Sequence, residues 1–298
     1  MTYETKPPVD AVDAVDAVDP VAQARALRAL HVPGRPLVLP NAWDPASARL
    51  VVAAGALAVA TTSAGIAWEL GLPDGERLDR DRALDAVARI AAAVDVPVTA
   101  DIEAGYADET PDIAATVQIV LAAGAVGVNI EDALNGDPER DGAPPLRPVG
   151  DQAARLRVAR GAADARGVPL FVNARVDTYW KSVGDPATRL ARTLERAAAY
   201  LAAGADGIFV PGVRDPDEIR ALADGVDGPL NILAGPGLPT VPELAALGVA
   251  RVTLGSGLAR AAHSFVRSAA REALTTGTYE ALTGAMPYKE ANTLFPHP

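Results

Sequence analysis

The densest group of reactive side chains in this sequence follows a short apolar run. In VTADIEAGY, residues 98–106, two carboxylates, Asp101 and Glu103, stand two positions apart. Residues i and i+2 of a strand point to the same side, so we expect both carboxylates to face one space. Like charges this close raise each other's pKa unless a cation or a hydrogen-bond donor offsets them. The stretch therefore predicts either a hydrated surface loop or a site that holds a positive charge.

Charged side chains also end the next two apolar runs. Glu131 and Asp132 follow AVGVNI, and Arg175 ends LFVNAR. Carboxylates without histidine or cysteine suit a hard cation such as Mg²⁺ or Mn²⁺, and an arginine fork can grip a carboxylate with two hydrogen bonds. The pattern predicts a metal site of Asp101, Glu103 and Glu131 beside an anion-binding Arg175.

Several of these residues also have a purely structural interpretation. Acids at strand ends cap the helix that follows, which would account for Asp101 or Asp132 taken alone. Asp44, directly before Pro45, is typical of a helix N-cap, and Asp177 can pair with a nearby arginine. Helix capping does not explain why acids and an arginine occupy three consecutive strand ends.

The elements that would position these residues repeat along the chain. Eight apolar runs alternate with helical stretches, and they span residues 36–42, 57–63, 97–103, 125–131, 170–176, 206–212, 229–235 and 250–256. Runs without polar alternation are typical of parallel strands buried on both faces. Eight such units predict an α/β fold, a (β/α)8 TIM-type barrel whose active site lies at the carboxyl ends of the strands. An open doubly wound sheet is the alternative.

Further helical patterns extend the barrel at both ends. Between the runs we expect helices over 44–54, 80–94, 111–123, 151–165 and 186–203, several of them opened by Asp-Pro or Thr-Pro. Residues 22–31 predict an N-terminal helix. Residues 258–285 predict both a long last helix and a further short one. We expect one domain over 20–298, preceded by a disordered acidic leader over 1–19 that carries a VDA repeat.

Composition excludes several classes of function. The 298 residues carry a formal net charge of −11, whereas binding to nucleic acid needs a basic face. The chain has no cysteine, so neither disulfides nor thiol chemistry is available. No apolar run reaches the roughly 18–20 residues that span a bilayer, and no secretory signal opens the chain. We expect a cytoplasmic protein that binds neither membrane nor nucleic acid.

Six motifs, in this order, resemble those of the isocitrate lyase/phosphoenolpyruvate mutase superfamily. They are LPNAWDPASARLV (39–51), TTSAGIAWELGLPDG (61–75), ADIEAGY (100–106), VNIED (128–132), NARVD (173–177) and NILAGPG (231–237). The resemblance runs from about residue 24 to 285. It is greatest to the smaller bacterial members that are called 2-methylisocitrate lyase-like or phosphoenolpyruvate mutase-like.

The resemblance implies an enzyme that uses Mg²⁺ (or Mn²⁺) to break a C–C or P–C bond beside an α-keto carboxylate, through a pyruvate enolate held on the metal. Asp101 resembles the direct metal ligand, and Asp74, Glu103 and Glu131 match the acids that hold metal-bound waters. Arg175 matches the arginine that stabilises the enolate. Thr62, Ser63 and Ala64 match the turn that binds the substrate carboxylate; from their places after strands we add Trp43, Asn231 and Gly235 as predicted substrate-binding residues.

Two departures from the family pattern affect these expectations. Glu103 stands where the family's D-x-D motif has its second aspartate. The lyases carry a K-x-C-G-H loop after the fourth strand, whereas residues 133–151 here contain neither cysteine nor histidine, so a thiol cannot act as acid or base. This stretch resembles the family's mobile gating loop. Its candidate polar groups are Asn135, Asp137, Glu139 and Arg140, of which Asn135 is our predicted catalytic residue.

The sequence thus predicts a lyase or decarboxylase of a small 2-oxo acid, or a related mutase or hydrolase of a phosphonate. A phosphate- or flavin-binding barrel is one alternative, because AGPG (234–237) and GSG (255–257) lie where barrels commonly hold phosphate. A catalytically idle barrel that binds 2-oxo acids is another. The resemblance also implies a homo-oligomer, a dimer or a tetramer with exchanged C-terminal helices, although residues 258–274 could equally be the barrel's own eighth helix.

Overall fold

The computed structural model describes residues 19–134 and 145–295, and its centre is a sheet of nine parallel strands. All but the first of the eight predicted runs form one strand each. The strands are β1 (Leu37–Leu39), β2 (Asn41–Ala42), β3 (Val59–Thr61), β4 (Val98–Asp101), β5 (Gly127–Glu131), β6 (Phe171–Arg175), β7 (Gly207–Val210), β8 (Leu230–Leu233) and β9 (Arg251–Thr253).

The sheet closes into a barrel because its first run is divided. Hydrogen bonding follows the order β1-β9-β8-β7-β6-β5-β4-β3-β2, so the two edge strands are neighbours in the chain. Pro40 lies between them and has no N–H to donate. The half before it pairs with β9 and the half after it with β3. The prediction of a TIM-type barrel is confirmed, and that of one unbroken first strand is wrong.

Helices surround the sheet much as predicted. The described residues form α1 (Pro20–Ala29), α2 (Pro45–Ala53), α3 (Ser63–Glu69), α4 (Arg80–Ala91), α5 (Ile113–Ala122), α6 (Val149–Ala165), α7 (Pro186–Ala202), α8 (Pro216–Gly225), α9 (Val241–Ala246), α10 (Gly257–Thr275) and α11 (Tyr288–Thr293). Short 3₁₀ turns occupy Thr110–Asp112 and Glu280–Leu282. The predicted leader, apart from Asp19, lies outside the described residues.

The helix boundaries follow from local chemistry. Asp44 caps α2 by accepting a 2.6 Å hydrogen bond from the Ser47 amide, which confirms its interpretation as an N-cap. Gly55 and Gly204 follow α2 and α7 with φ of 99° each, a conformation that costs glycine little. These caps turn the chain sharply, so that each helix packs back on the strand before it.

The core lies between the sheet and the helices and is aliphatic. Fully buried side chains from the strands include Val98, Val128, Val172, Ile208 and Ile232, which belong to one cluster with helical residues such as Val87, Val117, Leu156 and Ile219. Burial of such side chains supplies most of the stability of a domain. Within the ranges that the structure describes, no helix combines the length and the apolar character needed to cross a membrane.

Asp132, directly after β5, holds the barrel to α7. Its Oδ2 accepts hydrogen bonds of 2.8 Å from Arg196 Nη1 and from the Tyr200 hydroxyl, and its Oδ1 accepts one of 2.9 Å from the Asp177 amide. The side chain has no exposed surface. This strand-end acid is therefore structural.

His31, just after α1, is buried beneath the barrel. Its Nδ1 lies 2.7 Å from the Leu27 carbonyl oxygen, its ring stacks 3.9 Å from that of Phe171, and its Nε2 has no partner among the described residues. Burial, reinforced by the charge of Arg251, lowers the pKa of His31 to about 3. The ring is therefore neutral in the folded protein.

Removing the Asp132 carboxylate should destabilise the fold strongly. Asp132→Ala leaves the Arg196 guanidinium without its buried counter-ion, and such a loss costs about 3–5 kcal/mol of the free energy of unfolding. Denaturant titration measures it. Asp164→Ala is the control, because Asp164 is exposed and its ion pair with Arg160 is long, at 3.9 Å. Its loss should cost less than about 0.5 kcal/mol of the free energy of unfolding. Equal costs for both variants would contradict the structural role of Asp132.

His31 should also make stability depend on pH. Its folded pKa is below its unfolded value of about 6.5, so between pH 6.5 and 3 the unfolded chain binds the extra proton and the free energy of unfolding falls as the pH falls. His31→Gln should remove about 2 kcal/mol of that loss between pH 7 and 5. Denaturant titrations at both pH values measure it, with the exposed His263→Gln as control. An unchanged pH dependence in His31→Gln would refute this origin.

Candidate active site

A cavity of about 110 Å³ opens at the carboxyl ends of the strands. It brings together predicted site residues that follow or end three strands, and those that line it are Thr62, Ser63, Ala64, Asp74, Asp101 and Arg175. A larger hollow, of about 360 Å³, lies at the opposite end of the barrel, under α1, and no charged residue lines it. The chemistry predicted from the sequence therefore belongs to the smaller cavity.

Asp101, the last residue of β4, faces the first turn of α3. Its Oδ2 accepts hydrogen bonds from the Ser63 hydroxyl at 2.9 Å and from the Ser63 amide at 3.2 Å. Its own amide donates to Thr61 Oγ1 at 2.9 Å. These contacts fix the carboxylate at the rim. They also commit the Ser63 donors, which the resemblance assigned to substrate, to Asp101 instead.

Arg175 is held by two carboxylates. Its Nη1 lies 2.7 Å from Glu131 Oε2, and its Nε and Nη2 donate to Asp177 Oδ1 at 3.0 and 2.8 Å. Its guanidinium carbon lies 5.9 Å from the centre of the Phe209 ring. Only 17% of the side chain is exposed, and two of its five N–H groups stay uncommitted in this arrangement. The prediction that Asp177 pairs with an arginine is confirmed.

The four predicted metal-site acids repel one another. Burial, and then the charges of Asp101 and Asp74, raise the pKa of Glu103 to about 8. Burial and Asp101 raise the pKa of Asp74. Burial also raises the pKa of Glu131, although Arg175 opposes that rise. Carboxylates of this set act on the pKa of Asp74, Glu103 and Glu131, which indicates that these acids lie near Asp101 or near one another.

Glu103 differs from the expected geometry. The strand ends at Asp101, and Glu103 adopts a left-handed φ of 49°, so the i, i+2 rule of a strand does not extend to it. Its Oε2 accepts a 2.7 Å hydrogen bond from the Glu76 amide, and its Oε1 a 3.0 Å bond from the Tyr106 hydroxyl. Glu103 is 5% exposed and does not line the cavity. The expectation that it faces one space with Asp101 is wrong.

The donor chemistry nonetheless fits a divalent cation. Carboxylate and hydroxyl oxygens line the cavity, and a divalent cation would offset the repulsion among its acids. Across residues 19–134 and 145–295, no three acidic or histidine side chains converge into a preformed first coordination shell. One direct ligand, Asp101, with further acids acting through water, remains compatible with that geometry.

The remaining predicted residues occupy other positions. Trp43 does not line the cavity and packs against α3, where a Cβ on Gly65 would meet its side chain at 2.7 Å. Asn231 is buried behind the cavity, 3.4 Å from the Thr253 hydroxyl. Gly235 lines an adjacent surface cavity beside Trp180. Asn135 lies outside the described residues.

Several residues that line the cavity escaped the sequence prediction. Phe209 and Leu233 are apolar and so gave no polar signal at their strand ends. Asn129, a polar residue of β5, lines the cavity as well. Its Oδ1 accepts a 2.8 Å hydrogen bond from Asn173 Nδ2 and lies 3.4 Å from Nη2 of the buried Arg251. The register of Asn129 beside Asp101 could have identified it.

The proteins that are similar in sequence to this chain include an uncharacterised protein, a lyase and a decarboxylase. An uncharacterised protein of Mycobacterium tuberculosis is 41% identical over 266 residues, which cover 88% of this chain and 92% of the relative. 2-Methylisocitrate lyase of Escherichia coli is 30% identical over 207 residues (69% and 67%). Oxaloacetate decarboxylase of Rhodopseudomonas palustris is 32% identical over 167 residues (56% and 54%).

Two solved structures extend the comparison, and a family model completes it. A Burkholderia cenocepacia protein described as a lyase/mutase matches with a TM-score of 0.85 and 40% identity, over 94% of this chain and 97% of that one. A phosphonopyruvate hydrolase in complex with oxalate and Mg²⁺ matches with a TM-score of 0.78 and 27% identity, over 91% and 94%. The family model described as phosphoenolpyruvate phosphomutase matches residues 27–274. This chain belongs to the phosphoenolpyruvate phosphomutase family of enzymes.

Proposed function

We propose that the protein is a divalent-metal-dependent lyase that acts on a small 2-oxo acid and cleaves the C–C bond one carbon removed from the keto group, between C3 and C4. The observation that carries this proposal is that Asp101 and Arg175, of opposite charge, line one small cavity. A cation bound at Asp101 and the guanidinium of Arg175 would attract the same small anion from two sides. The volume of about 110 Å³ suits an acid of few carbon atoms.

The cation, when bound, supplies a Lewis acid that polarises the keto group. Asp101 would hold it directly, since Asp101 is the acid at the cavity rim with its carboxylate fixed by Ser63. Asp74 lines the same cavity and would hold a water molecule bound to the metal. Glu131, which does not line the cavity, would hold another such water. The Mg²⁺–oxalate complex of the related phosphonopyruvate hydrolase supports this assignment of the cofactor.

Arg175 would stabilise the charge that forms when the bond breaks. Cleavage leaves the electron pair on the fragment with the keto group, as an enolate whose charge is concentrated on oxygen. The two uncommitted N–H groups of Arg175 can donate to that oxygen or to the neighbouring carboxylate. Glu131 and Asp177 hold the guanidinium in place beforehand, so little reorganisation is needed during the reaction.

The cavity favours loss of carbon dioxide over cleavage of a hydroxy acid. Cleavage of a hydroxy acid begins with a base that takes the hydroxyl proton, whereas decarboxylation of a 2-oxo acid needs none. Among the described residues that line the cavity, the groups able to act as a base are Asp74 and Asp101, which this proposal assigns to the cation and its water, and the chain has no cysteine. The similarity to an oxaloacetate decarboxylase supports the same choice.

Cleavage of a P–C bond is the second candidate, because the family model and the related phosphonopyruvate hydrolase point to phosphonates. A panel of oxaloacetate, phosphonopyruvate and 2-methylisocitrate with Mg²⁺, followed by pyruvate release, separates the candidates. Pyruvate from oxaloacetate supports the proposal, and pyruvate from phosphonopyruvate alone replaces it with the second candidate. Binding of oxalate without turnover of any compound would indicate an idle barrel.

We also propose that the C-terminal helices mediate self-association. Only Ala259 is buried among the nineteen residues of α10, so packing on this chain's barrel explains little of its apolar stripe. Phe265, Val266 and Leu274 on α10 are exposed, as are Tyr279 and Tyr288 beyond it. Such a surface is typical of a protein–protein contact. Mass measurement in solution tests this proposal, which a monomer would contradict.

Asp101→Asn should abolish metal-dependent turnover. The variant keeps the size of the side chain and loses the charge that binds the cation, so Mn²⁺ affinity should fall at least tenfold and pyruvate release should disappear. Calorimetric Mn²⁺ titration and a pyruvate assay measure the two effects. Asp215→Asn, which changes only the N-cap of α8, is the matched control. Full activity in Asp101→Asn would sink the assignment.

Arg175→Lys should lower kcat far more than Mn²⁺ affinity. Lysine keeps the positive charge but cannot bond Glu131 and Asp177 while donating to the enolate, so kcat should fall about 10²–10³-fold, as for loss of one oxyanion donor. Steady-state kinetics and Mn²⁺ titration on the same preparation measure both quantities. A kcat within threefold of the wild type would remove Arg175 from the mechanism.

A further inference from the structure

Both carboxylate oxygens of Glu103 accept hydrogen bonds from residues that do not line the cavity. Glu103 differs in this from the other predicted metal-site acids. The Glu76 amide donates to one oxygen at 2.7 Å and the Tyr106 hydroxyl to the other at 3.0 Å. Asp74 and Asp101 line the cavity, whereas Glu103 does not. These contacts therefore indicate a structural role for the Glu103 side chain, in contrast to the acids that line the cavity.

The bonds form a reciprocal connection between two loops. Glu76, in the loop 73–78, donates its amide to the Glu103 carboxylate. In the other direction, the Tyr106 amide donates to Glu76 Oε1 at 2.9 Å. We call this set, Glu76, Glu103 and Tyr106, the clasp. Each loop thus supplies a carboxylate to an amide of the other.

The backbone of the clasp is strained, and its strain is compensated. Glu76, Glu103 and Tyr106 adopt positive φ of 54°, 49° and 49°, a region that costs residues other than glycine about 1 kcal/mol or more each. Three non-glycine residues persist there only if their surroundings hold them. The hydrogen bonds within the clasp supply that restraint.

Arg155 on α6 holds the turn 103–107, which contains two residues of the clasp. It is 1% exposed, and its Nη2 donates to the carbonyl oxygens of Ala104 and Ala107 at 2.7 and 2.8 Å. Gly105, with φ of 107°, leaves no room for a Cβ, which would lie 2.3 Å from Ile113 Cδ1. The turn 103–107 is therefore a fixed platform, and the loop 73–78 is the part that the clasp secures to it.

We propose that Glu103 is a positioning residue that fastens the loop 73–78 and thereby holds Asp74 over the cavity. Asp74 lies two residues before Glu76 and lines the cavity with Asp101. Glutamate is required because its extra methylene, relative to the aspartate expected in D-x-D, carries the carboxylate past the rim to the Glu76 amide. The consequence for metal binding rests on the proposed function; the connection itself does not.

Backbone hydrogen exchange of the metal-free protein tests the clasp directly. Glu103→Asp keeps the carboxyl group but shortens its reach by one methylene, so the Glu76 amide should exchange at least tenfold faster. Glu103→Gln cannot accept from both donors at once and should accelerate exchange as well. Tyr106→Phe removes one donor and should give a smaller acceleration. Tyr179→Phe is the matched control, because it breaks a 3.0 Å bond to Glu218 at the same rim and should leave the Glu76 amide unchanged.

Metal titration then separates the positioning role from a direct one. If Glu103 acts through Asp74, Glu103→Asp and Asp74→Asn should each weaken Mn²⁺ binding, and the double variant should bind no more weakly than the weaker single one. Unchanged exchange of the Glu76 amide in both Glu103 variants would overturn the proposal. Additive losses of Mn²⁺ affinity would overturn it too, by assigning Glu103 its own contact with metal-bound water. A wild type that binds no Mn²⁺ would refute the proposed function, while the exchange result would still decide the clasp.

Discussion

The crowding of carboxylates around one arginine is the constraint on which this site depends. Burial and neighbouring carboxylates raise the pKa of Asp74, Glu103 and Glu131, and Arg175 supplies the one cationic side chain among the described residues that line the cavity. Removing like charges from water is costly unless each is paired. The fold meets this cost by giving three of these acids separate partners: Ser63 for Asp101, Arg175 for Glu131, and Glu76 with Tyr106 for Glu103.

The barrel makes that assignment possible because it brings remote segments together. Parallel strands place their carboxyl ends at one edge, so residues as far apart as Ser63 and Arg175 line one cavity. Asp132, next to Glu131 in the chain, points away from the cavity and holds α7 through Arg196 and Tyr200. Adjacent acids thus serve two purposes: Glu131 pairs with Arg175, and Asp132 fixes the strand end that carries both acids.

The sequence predicted the barrel well because buried parallel strands and their capped helices carry local signals. It also predicted the cavity positions of Thr62, Ser63, Ala64, Asp74, Asp101 and Arg175. It could not predict that Pro40 divides the first strand, since that depends on which partners each half meets. Nor could it show that Glu103 leaves the strand: a left-handed turn held by Arg155 and Glu76 depends on contacts distant in the chain. Trp43, Asn231 and Gly235 were predicted from their places at strand ends, and none of the three lines the cavity.

The central claim is that one cavity binds a divalent cation and a small 2-oxo acid together. Calorimetric titration of oxalate, a stable mimic of a 2-oxo acid enolate, in the presence of Mg²⁺ and again in EDTA tests it most directly. If the claim holds, oxalate binds at least a hundredfold more tightly with Mg²⁺ than without, and Arg175→Met weakens the Mg²⁺-dependent binding. Equal affinity with Mg²⁺ and with EDTA, or no binding under either condition, would contradict it.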